Sequence, residues 1–201
     1  MKNLSFKITL ITLFFVSAYS ASAQYVSPST STTPAPSTFY LAFSTGIDNY
    51  TGILGIGGLF PFSDKFGLRT GVGIGAWGGK ISIGAEYIDL RKSGIGLGLS
   101  YSLCTGIEEV DLTLQDQSGS TRTVNMDLER VGSVNLTIKK NWVLKKGNIF
   151  YIESGYAFQT GGSDYYTIND NNTTLSPDEE LILSIIRPGG LIVAMGFLVA
   201  F

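Results

Sequence analysis

Eight stretches of this chain place an apolar residue at every second position and fill the alternate positions mainly with glycine, serine or alanine. Period two is the period of a β-strand, whose successive side chains point to opposite faces of the sheet. The stretches are residues 38–47, 50–60, 66–76, 80–89, 95–105, 131–141, 149–159 and 190–201. In the third, Phe66, Leu68, Val72 and Ile74 alternate with Gly67, Arg69, Gly71, Gly73 and Gly75. In the fifth, Ile95, Leu97, Leu99, Tyr101 and Leu103 alternate with Gly96, Gly98, Ser100, Ser102 and Cys104. The second stretch sets Tyr50, Leu54, Ile56 and Phe60 on its apolar face, although Ile53 and Leu59 blur the alternation.

The small-residue face decides where the apolar face points. A soluble lipocalin-like barrel or sandwich, the alternative reading, would cover its outer face with charge and polar groups. Glycine and serine instead suit the crowded interior of a barrel of about eight strands, which has room for side chains and no open channel. The aromatic and aliphatic face is then the one turned to lipid. The expected fold is all-β, a transmembrane antiparallel up-and-down barrel of about eight strands over residues 38–201. Charged residues make up only 15% of the chain, against about 25% in a usual soluble domain. After the N-terminal segment no apolar run is long enough for a membrane helix. Connections alternate between short ones, such as residues 61–65, 90–94 and 141–148, and two long ones near 106–130 and 160–188, as a barrel with both ends of its chain on one side requires. Trp77 and Trp142 stand at segment ends, where an amphipathic ring favours a membrane interface.

The N-terminus carries Lys2 and Lys7, an apolar run from Ile8 to Val16, and small residues ending in Ala21-Ser22-Ala23. This is the layout of a cleavable secretory signal over residues 1–23. Residues 24–37 are rich in serine, threonine and proline, with no apolar period, and read as a tether. Export through the signal and a lipid-facing barrel together imply the outer membrane of a Gram-negative-type cell.

The last segment sets Leu191, Val193, Met195, Phe197, Val199 and Phe201 at alternate positions up to the final residue. It resembles the C-terminal strand signature read by the outer-membrane assembly machinery, with Phe197, Val199 and Phe201 as its candidate residues. With the segment count, the chain resembles the small OmpX/OmpA-like group of outer-membrane β-barrel domains, and the Ala23-Gln24 junction resembles signal cleavage in Bacteroidetes-type proteins. The resemblance implies fold and location, with outer-membrane lipid and the assembly machinery as partners, and supplies no catalytic or binding motif.

The chain has no histidine. Barrel lipases, deacylases, palmitoyltransferases and proteases resemble one another in relying on that residue as base, so no enzymatic activity is expected. No His or Cys cluster offers a metal site, Cys104 reads as a small filler, and no cofactor is expected. Gly71-Val72-Gly73-Ile74-Gly75 alternates inside a strand segment and lacks the helix of a phosphate cradle, while Asn169-Asp170-Asn171-Asn172 reads as a solvated loop tip. Acids outnumber bases in both long loops, which disfavours nucleic acid.

Two groups of residues remain as candidates. Arg69 and Glu86 sit on the small-residue faces of neighbouring segments, with Glu153 at similar height, and are expected to form a lumenal ion cluster, since charge at membrane depth faces inward and pairs. In the first long loop, Val110, Leu112 and Leu114, and Val124, Met126 and Leu128, alternate with polar residues about Gln117-Ser118-Gly119-Ser120. They predict a β-hairpin above the barrel, with open edges and an apolar face for an extracellular protein or other surface partner. Ser176-Pro177-Asp178-Glu179 has a helix-start layout, and Leu181 is the residue expected to cover the hairpin. The functional expectation is a structural or surface-interaction barrel, with a narrow pore or small-ligand carrier as the alternative.

Overall fold

The computed structural model describes residues 37–115, 121–161, 165–169 and 175–201. The expected signal, nearly all of the tether and the residues 117–120 expected to turn the hairpin lie outside the described residues.

Eight antiparallel strands close on themselves. They are β1 (Tyr40–Ile47), β2 (Leu54–Pro61), β3 (Phe66–Gly75), β4 (Gly78–Tyr87), β5 (Gly94–Cys104), β8 (Val131–Val143), β9 (Ile149–Thr160) and β11 (Gly190–Ala200). Each pairs with its neighbour along the chain, and β1 pairs with both β2 and β11 to seal the ring. Closure leaves the barrel with no open strand edge. Along β5, Gly96, Gly98, Ser100, Ser102 and Cys104 face inward and are buried, while Leu97, Leu99 and Tyr101 face outward and are exposed. The small-residue face therefore lines the lumen.

The outer wall is apolar round the whole ring, with Ile56, Leu68, Ile83, Leu99, Leu136, Phe158 and Met195 all exposed. Lys140 is the one ionic side chain on this face among the described residues of the strands, and its ammonium lies over the Trp142 ring. At the end of the barrel where Phe201 bonds Phe39, aromatic pairs ring the wall: Phe39–Phe60, Phe66–Tyr87 and Trp142–Phe150, with centroids 4.9, 5.1 and 5.5 Å apart. Trp77 departs from its expected interfacial place. It is buried at the opposite end, and its indole N–H donates to the Glu129 carbonyl at 2.8 Å.

The second stretch is shorter than expected. Its first residues leave the wall, and residues 48–52 turn down into the lumen, where Asn49, Tyr50 and Thr51 are buried. Asn49 Nδ2 donates to Ser44 Oγ and Thr51 Oγ1 at 2.9 and 3.0 Å, fixing the turn. The glycines opposite make the slot. A Cβ on Gly71 would stand 2.8 Å from both the Tyr50 ring and the Thr51 methyl, and one on Gly73 would stand 2.0 Å from the Thr51 carbonyl oxygen. Period two alone assigns Tyr50 to the wall because it does not distinguish a strand from a short extended loop with the same parity.

Beyond the barrel, β6 (Ile107–Gln115), β7 (Thr121–Leu128) and β10 (Tyr166–Ile168) form a second sheet in the order β10-β7-β6. The hairpin does not extend the wall straight upward. The chain turns at Gly106, whose positive φ brings its Cα side against the Leu128 carbonyl, and the register breaks between Ile107 and Val110. The sheet thus folds over the barrel mouth, and its apolar face joins Trp77, Cys104 and Val131 in one core. Helix α1 (Pro177–Ile186) completes this lid by inserting Leu183.

Candidate functional site

The long charged side chains of the lumen fit because glycines stand opposite them. Arg69 pairs across β3 and β4 with Gly84, Glu86 pairs with Gly67 and Gly98 on its two sides, and Lys139 pairs with Gly96. A Cβ on Gly98 would stand 3.3 Å from Arg69 Nη1, so the space taken by the guanidinium is space glycine leaves. Glu153 pairs directly with Lys139 across β8 and β9.

Arg69 Nη1 lies 2.7 Å from Glu153 Oε1 and 3.5 Å from Glu86 Oε2, and Lys139 Nζ lies 2.7 Å from Glu86 Oε1 and 3.9 Å from Glu153 Oε2. Two cations and two carboxylates thus alternate around a closed quartet with no net charge. Every member is nearly sealed from solvent, at 3% side-chain exposure or less. The Tyr50 ring covers the guanidinium and the Tyr151 ring covers the ammonium, each at 4.2 Å. Toward the terminal end, Tyr40, Leu59, Ile88, Leu90, Ile149 and Leu198 fill the lumen as an apolar layer. On the other side of the quartet, Asn135 Nδ2 donates to Ser102 Oγ at 2.6 Å, and Lys80 Nζ holds Asp48 Oδ1 at 2.7 Å. Buried side chains thus occupy the lumen at each of these levels.

No family model matches this sequence, and no curated protein matches it. Among solved structures, the crystal structure of Acinetobacter baumannii CarO aligns over 85% of this chain and 100% of its own length, at 10% identity and a TM-score of 0.41. A likeness of that size carries no argument about what this chain does.

The structure brings Arg69, Glu86 and Glu153 together, although Arg69 and Glu86 meet diagonally rather than face to face. Sequence reasoning missed Lys139 as the fourth member. Its signal was parity, because it continues the inward series Ser133, Asn135, Thr137. It also missed Tyr50, which no local pattern places in the lumen.

The hairpin residues are placed differently from the expectation of an open apolar surface. Val124, Met126 and Leu128 are buried in the lid core, and Val110 and Leu112 are half-buried against it. The side chain of Leu114 lies outside the described residues. Of the two hairpin edges, that of β7 is paired with β10 over Met126 to Leu128, and that of β6 carries Glu108, Glu109 and Asp111, charges that blunt strand addition. The apolar face therefore packs against Trp77, Cys104 and Val131 at the barrel mouth. The helix residue that packs on it is Leu183, while Leu181 is exposed on another face of the helix. At the strand expected to carry the assembly signal, Phe197 and Phe201 are exposed on the outward face of the β11 end, and Val199 is partly so.

A second ion pair holds the lid. Arg122 donates from Nε to Glu179 Oε1 at 3.0 Å and from Nη2 to Oε2 at 2.6 Å, and the Ser176 N–H donates to Glu179 Oε2 at 2.7 Å in a reciprocal capping box. The Arg122 hydrogen bonds, chiefly, hold the Glu179 carboxyl down at about 2. A carboxyl with a depressed folded value contributes stability above its unfolded value of about 4.3, and that contribution is lost as pH falls toward the folded value. Amide protection in α1 and β7 is therefore expected to weaken between about pH 4.5 and about pH 2 while the barrel strands stay protected. Hydrogen exchange read strand by strand checks this. Glu179→Gln should remove most of the step, leaving the smaller part due to Asp127, which is lowered by the Glu109 N–H at 2.7 Å and by Asn169.

Proposed function

We propose that this chain is an integral outer-membrane β-barrel, exported through its N-terminal signal, that serves as a sealed structural and surface-presenting protein with no enzymatic activity. The observation that carries the reading is the inversion of an ordinary soluble fold: an apolar belt closes round the whole outer wall, while the ionic groups are gathered, paired and sealed inside. Strands of 8 to 13 residues bracket the length of about 9–11 that a tilted strand needs to cross the hydrocarbon. The aromatic ring at the terminal end suits an interfacial girdle. Phe197, Val199 and Phe201 are the residues offered to the assembly machinery, and the polar outer face of the lid is offered to the outside.

A filled lumen argues against passage of solutes. The charge quartet, the in-turned loop and the apolar layer stand in series, with the lid above them. Protein reconstituted into vesicles, shown by flotation to be inserted, and then fused with planar bilayers is expected to give no single-channel steps. Reproducible steps from the wild-type chain would replace this reading with a narrow pore.

A further inference from the structure

Helix α1 has a second face that the lid does not use. Leu183 and Glu179 point into the lid and are fully buried, yet Leu181, Ile182, Ile185 and Ile186 are exposed by 58%, 43%, 72% and 37%. At about 100° per residue these four form one continuous arc of about 140° along the helix. The capping box and the Arg122 pair hold the helix without them.

We infer that this face is a membrane-surface element, seated against the lipid of the outer leaflet beside the barrel rim. The inference rests on reading the barrel as membrane-spanning. It follows from continuity between the helix and the lipid-facing wall. The C-terminal end of the helix is tied to the rim at two points: Gln159 Nε2 of β9 donates to the Pro188 carbonyl at 2.6 Å, and the Gly189 N–H donates to Asp48 Oδ2 at 2.7 Å. Asp48 directly follows Ile47, and on this side of the barrel the apolar wall runs to the last rung of its strands, with Ile47, Leu54 and Ile74 exposed by 70%, 68% and 71%. On the far side of the tie, Leu191 resumes the outward apolar face of β11.

Charge is graded along the helix in the matching sense. Asp178, Glu179 and Glu180 occupy the first turn, and the last turn carries no charge. The polar end thus stands away from the rim, and the apolar end stands at it. An amphipathic helix lying in the interface buries one face in the boundary between headgroups and acyl chains. Here the lid supplies the other support, so the helix is clamped between its own core and the lipid.

The test is nitroxide labelling of the full mature chain, in a Cys104→Ser background, reconstituted into dioleoylphosphatidylcholine vesicles. Labels at Ile182 and Ile185 are compared with one at Ile83 in mid-wall and one at Glu180. Collisions with oxygen are expected to exceed those with a water-soluble nickel chelate at 182 and 185, as at 83, with the order reversed at 180. Nickel access at 185 equal to that at 180 overturns the inference and leaves the membrane reading standing. Exclusion of both relaxants from 185 also overturns it, because protein then covers the face. A water-like signal at 83 overturns both readings together. Benzoylphenylalanine in place of Ile185, with Cys104 intact, gives an independent answer: adducts to vesicle acyl chains support the inference, and adducts to a second copy overturn it.

Discussion

Arg69→Ala is expected to lower the unfolding free energy of the barrel by about 3–5 kcal/mol, the cost of removing one partner from a buried ion pair. The quartet explains the size. With Arg69 gone, Lys139 at 3.9 Å is the cation left to Glu153, Lys139 is already held by Glu86 at 2.7 Å, and one negative charge is left uncompensated in the lumen. The Tyr50 ring loses the guanidinium it covers, so the in-turned loop loosens as well. Urea unfolding in vesicles measures the loss. The double variant Arg69→Met/Glu153→Met leaves the Glu86–Lys139 pair intact and is expected to recover most of it, since replacing a whole buried pair by apolar groups is often nearly neutral. A single variant within about 1 kcal/mol of wild type would show that the quartet is not structural.

The second large effect lies in the glycine slot. Gly71→Val is expected to cost about 1–3 kcal/mol by overpacking, because its Cβ would meet the Tyr50 ring and the Thr51 methyl at 2.8 Å, and these are side-chain atoms of the in-turned loop rather than wall. Tyr50→Ala together with Thr51→Ser in the same chain should therefore relieve much of the strain, with a coupling of about 1 kcal/mol or more. Gly73→Val should cost more and resist rescue, because it meets backbone: the Thr51 carbonyl at 2.0 Å and the Leu54 carbonyl at 2.4 Å. Equal costs at both positions, or additive effects with the Tyr50 and Thr51 changes, would mean that residues 48–52 are not seated in the lumen.

Most of the barrel is legible in the sequence because a closed barrel wall imposes one strict local rule, alternation, on every strand. The same rule carries Arg69, Glu86 and Glu153, whose parity puts them on the inward face, and Lys139 shares that parity with Ser133, Asn135 and Thr137. What fails is what alternation does not encode. Tyr50 has strand parity and lies in a loop, and the glycines that make room for its ring, Gly57 and Gly71, lie on the neighbouring strands β2 and β3. The hairpin arms are visible from their own period. Which way their apolar face turns depends on one backbone bend at Gly106 and a register break after Ile107. β10 has three residues, too few to show a period, yet it pairs with Met126 to Leu128 on the β7 edge that the expected partner surface left open. In α1 the start signal is local and plain, whereas the choice of Leu183 over Leu181 as the packing residue is set by how the lid sits on the barrel.

Membrane insertion of the barrel is tested most directly by alkaline carbonate extraction of membranes from producing cells, with electrophoresis of unheated and boiled samples. The protein is expected to stay in the membrane pellet, and its unheated form to migrate at a different apparent mass from the boiled one, because a closed barrel keeps its backbone hydrogen bonds internal and resists detergent. Recovery in the soluble fraction, with identical mobility before and after heating, would contradict a membrane barrel.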